Sequence, residues 1–148
     1  MADSKAQRVA EIWIRENWLP LKFKKPFVKK RLPLRPGGQF EFDGVSSDGR
    51  TAVCISTCCG LRSSGKKATP KLHKIRSDAL FLLLADVDRR VIVFSDQQMF
   101  DLCQAEIKAG RFPRDIDIEI VSLPAELEAA LVLGRRLAAE EVTPGRLP

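Results

Sequence analysis

Apolar and polar positions alternate along this chain at helical and at strand spacing, and the two spacings predict most of its secondary structure. Residues 6–18 have apolar side chains at helical intervals, which predicts a helix that ends before Pro20. The apolar residues of this helix, Val9, Ile12 and Trp13, are expected to pack on a sheet.

Two strands joined by a tight turn are predicted next. In the first, residues 40–45, Phe40 and Phe42 face one side while Glu41 and Asp43 face the other. The Asp-Gly pair at 48–49 supplies a turn residue that tolerates positive φ. The second strand, residues 51–58, is largely apolar and rich in β-branched residues, as expected for a strand buried on both faces.

The rest of the chain alternates helices and strands. The predicted elements are a helix over 70–85, a buried strand over 91–94, a helix over 97–109, an alternating strand around 116–120 and a helix over 124–141. Ser95 or Asp96 is expected to cap the 97–109 helix, and Gly110 is expected to end it.

Two of these helices have a predicted buried stripe. In the 70–85 helix, with Thr69 as N-cap, the stripe is Leu72, Ile75, Ala79, Leu82 and Leu83, and the opposite face holds Lys67, Lys71, Lys74 and Asp78. In the last helix the stripe is Leu127, Ala130, Leu131, Leu133 and Leu137.

This order of elements predicts one α/β domain over residues 1–148. We expect three α/β/α layers around a central mixed sheet of about four to five strands, antiparallel at the first hairpin and parallel beyond it. Residues 142–148 are expected to be a frayed tail. Residues 20–36 contain four prolines, which favour an extended, partly irregular arm that adds at most one strand.

Charge is distributed very unevenly. The net charge is +6, but residues 1–76 hold 17 of the 25 Lys and Arg against 6 of the 19 Asp and Glu, so this half carries +11 and the remainder −5. A basic half is typical of proteins that bind polyanions, and nucleic acid, DNA or RNA, is the commonest such partner. A solvated basic surface without a ligand is the alternative interpretation.

The predicted nucleic-acid contacts lie in the arm and in the loop after the second strand. In the arm, phenylalanines interleave with lysines, which suits phosphate contacts beside base stacking. The predicted contact residues are Lys24, Lys25, Lys29, Lys30, Arg62, Lys66 and Lys67.

The four cysteines and the hydropathy of the chain bear on its location. The cysteines lie mostly in apolar contexts and are expected to be reduced thiols. Apolar runs are shorter than the ~20 residues of a membrane span, and no apolar signal segment begins the chain. These features predict a cytoplasmic protein without a membrane partner, and the last helix or the acidic edge strand offers a surface for a homodimer.

The aromatic strand that ends at Asp43, followed by a second strand and a basic helix, resembles the PD-(D/E)xK, or restriction-endonuclease-like, superfamily. In that superfamily an acid on the first strand and an acid on the next bind one or two Mg²⁺ ions, and a lysine two residues further on positions the attacking water. Asp43 matches the first acid, but Cys54 and Ser56 stand where the second acid and the lysine belong. A thiol is a poor Mg²⁺ ligand and a serine supplies no cation.

Two explanations fit this degenerate motif. In the first explanation, the missing groups have moved to neighbouring elements, with Asp43 and Glu41 as metal ligands and Lys71 or Lys74 as the catalytic cation. Glu16 is a further acid within reach of the same site. Otherwise the fold has lost its chemistry and serves as a binding scaffold or a protein-interaction module.

The sequence also offers two other types of site. Residues Gly60–Lys67 differ from a Walker A loop at one position, where Lys67 replaces the required Ser or Thr. The loop lies between a predicted strand and a predicted helix, which suggests nucleotide binding. Cys54 and His73 form the one candidate Cys-His pair, but nothing in their spacing orients the imidazole.

Overall fold

The computed structural model describes residues 2–59 and 69–141, which form a five-stranded mixed sheet with helices on it. The elements in chain order are α1 (Ala2–Trp13), a π-helical segment (Ile14–Trp18, the π segment), α2 (Leu19–Phe23), β1 (Phe27–Pro33), β2 (Gln39–Ser46), β3 (Thr51–Ser56), α3 (Thr69–Leu84), β4 (Arg89–Phe94), α4 (Gln97–Lys108), β5 (Ile116–Ile120) and α5 (Ala125–Glu141).

The strands lie in the sheet in sequence order. β1, β2 and β3 are antiparallel neighbours, whereas β4 is parallel to β3 and β5 is parallel to β4. Short turns can join only antiparallel neighbours, and parallel neighbours need a crossover, which α3 and α4 provide. The predicted α/β fold with a mixed sheet of four to five strands is confirmed.

Each face of the sheet has its own buried cluster. On one face Phe42, Ile92 and Phe94 pack against residues of α3 and α4 such as Leu82 and Met99. On the other face Val53, Ile55, Val91 and Val93 pack against Ile14 and Leu19. All six residues of β3 are buried, as the apolar run predicts. No helix within the described ranges is both long and apolar enough to cross a membrane.

The N-terminal helical region is longer than predicted. It runs on through the π segment into α2, where Pro20 occupies the first turn and needs no helical N–H partner. A π turn inserts an extra residue and so shifts the side chains around the helix. Val9 and Ile12 precede this segment and are 42% and 44% exposed, whereas Ala10 and Ile14, four residues apart, are buried. The prediction that Val9 and Ile12 pack on the sheet is therefore wrong.

The arm departs from the prediction at its start, because residues 20–23 belong to α2 and are not extended. Lys24, with φ at 61°, ends α2 in a left-handed conformation, and the following residues form β1. The added strand is confirmed, and it pairs with β2 along its length from Phe27 to Pro33. Pro33 is tolerated in β1 because β1 lies at the edge of the sheet, where a missing N–H need not cost a ladder hydrogen bond.

Two predicted helix faces also need correction. The helical spacing predicts that Asp78 lies on the exposed face of α3, but the residue is only 6% exposed. In α5, Leu131 is buried as predicted, whereas Leu133 and Leu137 are 54% and 40% exposed. The outer face of α5 is apolar as well, which periodicity alone did not reveal.

The ends of α4 follow the sequence closely. The Asp96 side chain caps α4 by accepting a hydrogen bond from the Met99 amide at 3.0 Å, and Gly110 beyond the helix has a φ of 75°. β3 ends at Ser56, two residues earlier than predicted.

Candidate functional site

A pocket of about 360 Å³, here called the Asp43 pocket, opens beyond the carboxyl end of β3, between α1 and α3. It is lined by Gln7, Arg8 and Glu11 of α1, Asp43 of β2, Ile55, Ser56, Thr57 and Cys58, and Lys74, Ile75 and Asp78 of α3. In sheets with parallel strands, ligand sites form outside the carboxyl ends of those strands.

A bulge in β2 directs Asp43 into this pocket. Val28 pairs with Val45 and Lys30 with Phe42, so one residue of β1 lies opposite both Asp43 and Gly44. Bulges change the direction of a side chain and are frequent beside active sites. On the other side of β2, Gly44 within the bulge and the following Val45 pair with Val53 and Ala52 of β3.

The carboxylate of Asp43 takes the place of a main-chain acceptor. Its Oδ2 accepts a hydrogen bond from the Ile55 amide at 2.7 Å, which leaves Oδ1 without a partner among the described residues. Burial raises the pKa of Asp43 to about 6, against the Ile55 hydrogen bond that lowers it. The charges of Glu11 and Asp78 raise this pKa further, and that of Lys74 opposes them.

Lys74 and Asp78 form an ion pair one helical turn apart on α3. The Lys74 Nζ lies 3.2 and 3.1 Å from the two carboxylate oxygens of Asp78. The Asp78 side chain is 8% exposed and that of Lys74 68%. Burial raises the pKa of Asp78, although the charge of Lys74 opposes this shift. For Lys74, burial lowers the pKa, but the carboxylates of Asp78 and Asp43 outweigh burial, so the pKa is raised.

Glu11 is held in the pocket wall by two cations. The Arg15 guanidinium donates to Glu11 at 2.9 Å through the same nitrogen that donates to the main-chain oxygen of Asp43 at 3.1 Å. The Lys29 Nζ lies 3.6 Å from Glu11. Arg15 belongs to the π segment and its side chain is 13% exposed, so this guanidinium ties the helical layer to the bulge in β2.

Ser56 adds an unsatisfied hydroxyl. The residue is 6% exposed, and its Oγ has no hydrogen-bond partner among the described residues. A buried polar atom without a partner costs about 1–3 kcal/mol, unless water or a ligand satisfies it. Its place in the pocket wall makes this hydroxyl available to water or to a bound polar group.

The structure brings together only part of the predicted catalytic set. Asp43 and Lys74 line the pocket, whereas Lys71 is exposed on α3 and does not line it. Glu41 faces the same side of β2 as Asp43 but is 49% exposed and lies 3.9 Å from Lys29, outside the pocket lining. Glu16 is exposed and lines a different groove.

Two pocket acids, Glu11 and Asp78, were missed by sequence reasoning. Asp78 follows Lys74 by four residues, which signals an ion pair on a helix, but not its burial. Glu11 gives no local signal, because α1 comes to the pocket only through packing.

The predicted nucleic-acid contacts lie on several elements. Lys24 ends α2, Lys30 is exposed on β1, Lys25 pairs with Asp48 at 2.9 Å, and Lys29 pairs with Glu11. The remaining predicted contacts, Arg62, Lys66 and Lys67, lie outside the described residues, and so does the Gly60–Lys67 loop of the nucleotide-binding alternative.

The Cys54–His73 alternative has little support from the geometry. Burial raises the pKa of the Cys54 thiol well above its usual value, and the carboxylates of Asp78 and Asp43 raise it further, so the reactive thiolate is disfavoured. His73 is exposed, and its ring nitrogen lies 3.4 Å from Arg76.

Across residues 2–59 and 69–141, no three His, Cys, Asp or Glu side chains converge closely enough to hold a metal ion between them. The carboxylates of the Asp43 pocket line one cavity without forming a closed cage.

No family model, curated protein or solved structure matches the chain. Function is therefore inferred from the geometry of the Asp43 pocket.

Proposed function

We propose that this protein binds nucleic acid as a restriction-endonuclease-like domain and hydrolyses phosphodiesters in the Asp43 pocket with the help of Mg²⁺. The observation that carries the proposal is the single pocket lined by Asp43, Glu11, Asp78 and Lys74, beside the unsatisfied Ser56 hydroxyl.

The residues of α3 supply what β3 lacks. The degenerate motif has Cys54 and Ser56 in place of an acid and a lysine, whereas Asp78 and Lys74 approach the same place from the neighbouring helix. Their charges act on the Cys54 thiol, as does that of Asp43, which supports their closeness to this strand position. A migrated site accounts for a motif that is incomplete along β3.

The carboxylates of the Asp43 pocket fit Mg²⁺ better than they fit a metal ion that requires a complete set of protein ligands. Mg²⁺ prefers hard oxygen ligands and keeps several waters, so one or two carboxylates and a substrate phosphate are enough. Asp43 Oδ1 is unpartnered among the described residues, and Asp78 and Glu11 line the same cavity. When bound, the ion would neutralise charge that develops on the phosphate and lower the pKa of a water molecule.

The side chains around the pocket have separate roles in this proposal. Asp43 and Asp78 would hold the ion, and Lys74, whose side chain is 68% exposed, would contact the scissile phosphate or the attacking water. Arg15 holds Glu11 and the Asp43 main chain in place. Arg8 in the lining and Lys30 on β1 are exposed cations that would contact neighbouring phosphates.

Cleavage of plasmid, single-stranded DNA and RNA in Mg²⁺ or Mn²⁺ tests the proposal. Asp43→Asn should lower the cleavage rate by about 100-fold or more, as expected for loss of a group that acts in the transition state. Glu41→Gln is the matched control on the same strand and should cleave like the wild type. Equal cleavage by Asp43→Asn would remove the pocket from the mechanism.

A nucleic-acid-binding scaffold without activity is the second candidate. The observation that favours it is the Lys74–Asp78 ion pair, which occupies both oxygens of one proposed metal ligand. A scaffold would bind duplex or single strands with an affinity that falls steeply with salt, and would show no cleavage with either metal. Absence of both cleavage and salt-dependent binding would overturn both candidates.

We also propose a cytoplasmic location. Cys54, Cys58, Cys59 and Cys103 are free thiols, which suits a reducing compartment. Recovery of the native protein in an oxidising compartment on cell fractionation would contradict this location.

A further inference from the structure

α5 is apolar on its outer face as well as on its inner face. Leu131 is buried at 1% exposure on the inner side. On the outer side Val132 and Leu133 are 46% and 54% exposed, and Ala129 is exposed beside them. A surface helix normally has a polar outer face, and a helix that is apolar all round is usually covered.

Exposed apolar residues concentrate in the layer formed by α1 and α5, which pack on each other. Among the described residues, five of the nine large hydrophobic side chains with high exposure belong to these two helices. They are Val9, Ile12, Val132, Leu133 and Leu137. Single exposed hydrophobic residues are ordinary, but a cluster on one layer marks an interaction surface.

The charges on the outer face of α5 indicate which partner covers it. A shallow groove runs along this face past Glu128, Ala129, Val132, Leu133 and Arg136. Glu128 and Arg136 each lie four residues from Val132, about 6 Å along the helix axis on either side. Neither side chain forms an ion pair with another described residue.

We propose that a second copy of this chain covers the outer face of α5, with the two α5 helices antiparallel about a twofold axis at Val132. In this arrangement Val132 contacts Val132 of the other protomer, and Glu128 of each protomer faces Arg136 of the other. The dimer would therefore contain two symmetry-related Glu128–Arg136 ion pairs. A parallel arrangement would instead place like charges together. A surface that is complementary to itself is the requirement for an isologous dimer.

The proposed dimer surface is separate from the Asp43 pocket. None of the residues that line the pocket belongs to α5, so dimerisation does not depend on the proposed nuclease activity. A failure of either proposal leaves the other standing.

Sedimentation equilibrium of the full chain from about 1 µM to about 1 mM, a range that covers moderate and weak association, tests the proposal. The wild type should approach twice its monomer mass of 16.5 kDa as concentration rises. Glu128→Lys and Arg136→Glu should each weaken the dimer by about three- to tenfold, because two exposed ion pairs become repulsive. The double variant, with both charges exchanged, should recover wild-type association.

Two controls separate this interface from general effects. Glu126→Lys makes the same charge change on α5 away from the groove, and Leu21→Ser removes an 81% exposed apolar side chain from α2. Both should dimerise like the wild type. A monomer at every concentration, or a dimer that the single charge reversals leave unchanged, would overturn the proposal and point to another protein as the occupant.

Discussion

Replacement of Asp43 by Asn should make the protein more stable at neutral and alkaline pH. The Asp43 carboxylate is confined beside Glu11 and Asp78, and burial and these charges raise its pKa from 3.8 to about 6. Asn has nearly the same shape and keeps an oxygen that accepts the Ile55 amide, but it has no charge to bury. The folded state of the variant is therefore relieved of an unfavourable ionisation.

The size and sign of the effect follow from proton linkage. The folded protein binds the Asp43 proton more tightly than the unfolded chain, so its stability falls as the pH rises through the window from 3.8 to about 6. At about 1.4 kcal/mol for each pKa unit, the ionised side chain costs the wild type about 3 kcal/mol at pH 8 and roughly half of that at pH 5. The Asn variant should be more stable by these amounts.

Urea unfolding of both proteins at pH 5 and pH 8 measures the difference. Glu41→Gln is the control, since Glu41 lies on the same side of β2 with 49% exposure and its neutralisation should change the free energy of unfolding by under about 0.5 kcal/mol. Added Mg²⁺ should stabilise the wild type and not the Asn variant if the proposed metal site is right. An Asn variant that is no more stable than the wild type at pH 8, or whose advantage does not change with pH, would refute the reasoning.

Two further substitutions test the packing around the sheet. Gly44→Ala places a Cβ 3.0 Å from the Leu19 Cδ1, and because Leu19 is fully buried we expect a loss of about 1–2 kcal/mol by thermal unfolding. Gly38→Ala has no atom within 4 Å of its Cβ and should be neutral; the first prediction is wrong if the two behave alike. Glu106→Gln should destabilise the protein at pH 7, because Arg111 and Arg76 both bond this carboxylate and lower its pKa. The loss should shrink as the pH falls below about 4.5, because protonation of Glu106 in the wild type removes the stability that its ion pairs provide. A difference in the free energy of urea unfolding that does not change with pH would contradict this prediction.

Local patterns were sufficient to predict most of the elements. The β-branched run of β3, the alternation in β2 and the Asp96 cap and Gly110 end of α4 each depend on neighbours in sequence, and the structure has them close to where they were expected. The α/β class follows from these elements, because strands that alternate with helices favour crossover connections between parallel neighbours.

The errors lie where tertiary contacts override local preference. Prolines in residues 20–36 favoured an extended arm, yet residues 20–23 continue the helical region as α2, because proline is tolerated in a first helical turn. Val9 and Ile12 have helical spacing, but the face that the fold buries is the one that holds Ala10 and Ile14. Periodicity indicates that a face is apolar and does not indicate what covers it.

The sequence alone determined Asp43 and Lys74 as candidate residues, since each has a recognisable place at a strand or on a basic helix. The roles of Glu11 and Asp78 in the Asp43 pocket, and the position of Glu41 outside it, depend on how the helices pack on the sheet. The physical reason is that the pocket is assembled from α1, β2 and α3. Their separation in sequence carries no information about distance, whereas the burial, ion pairs and unsatisfied hydroxyl that define the site arise only when the sheet and its helices pack together.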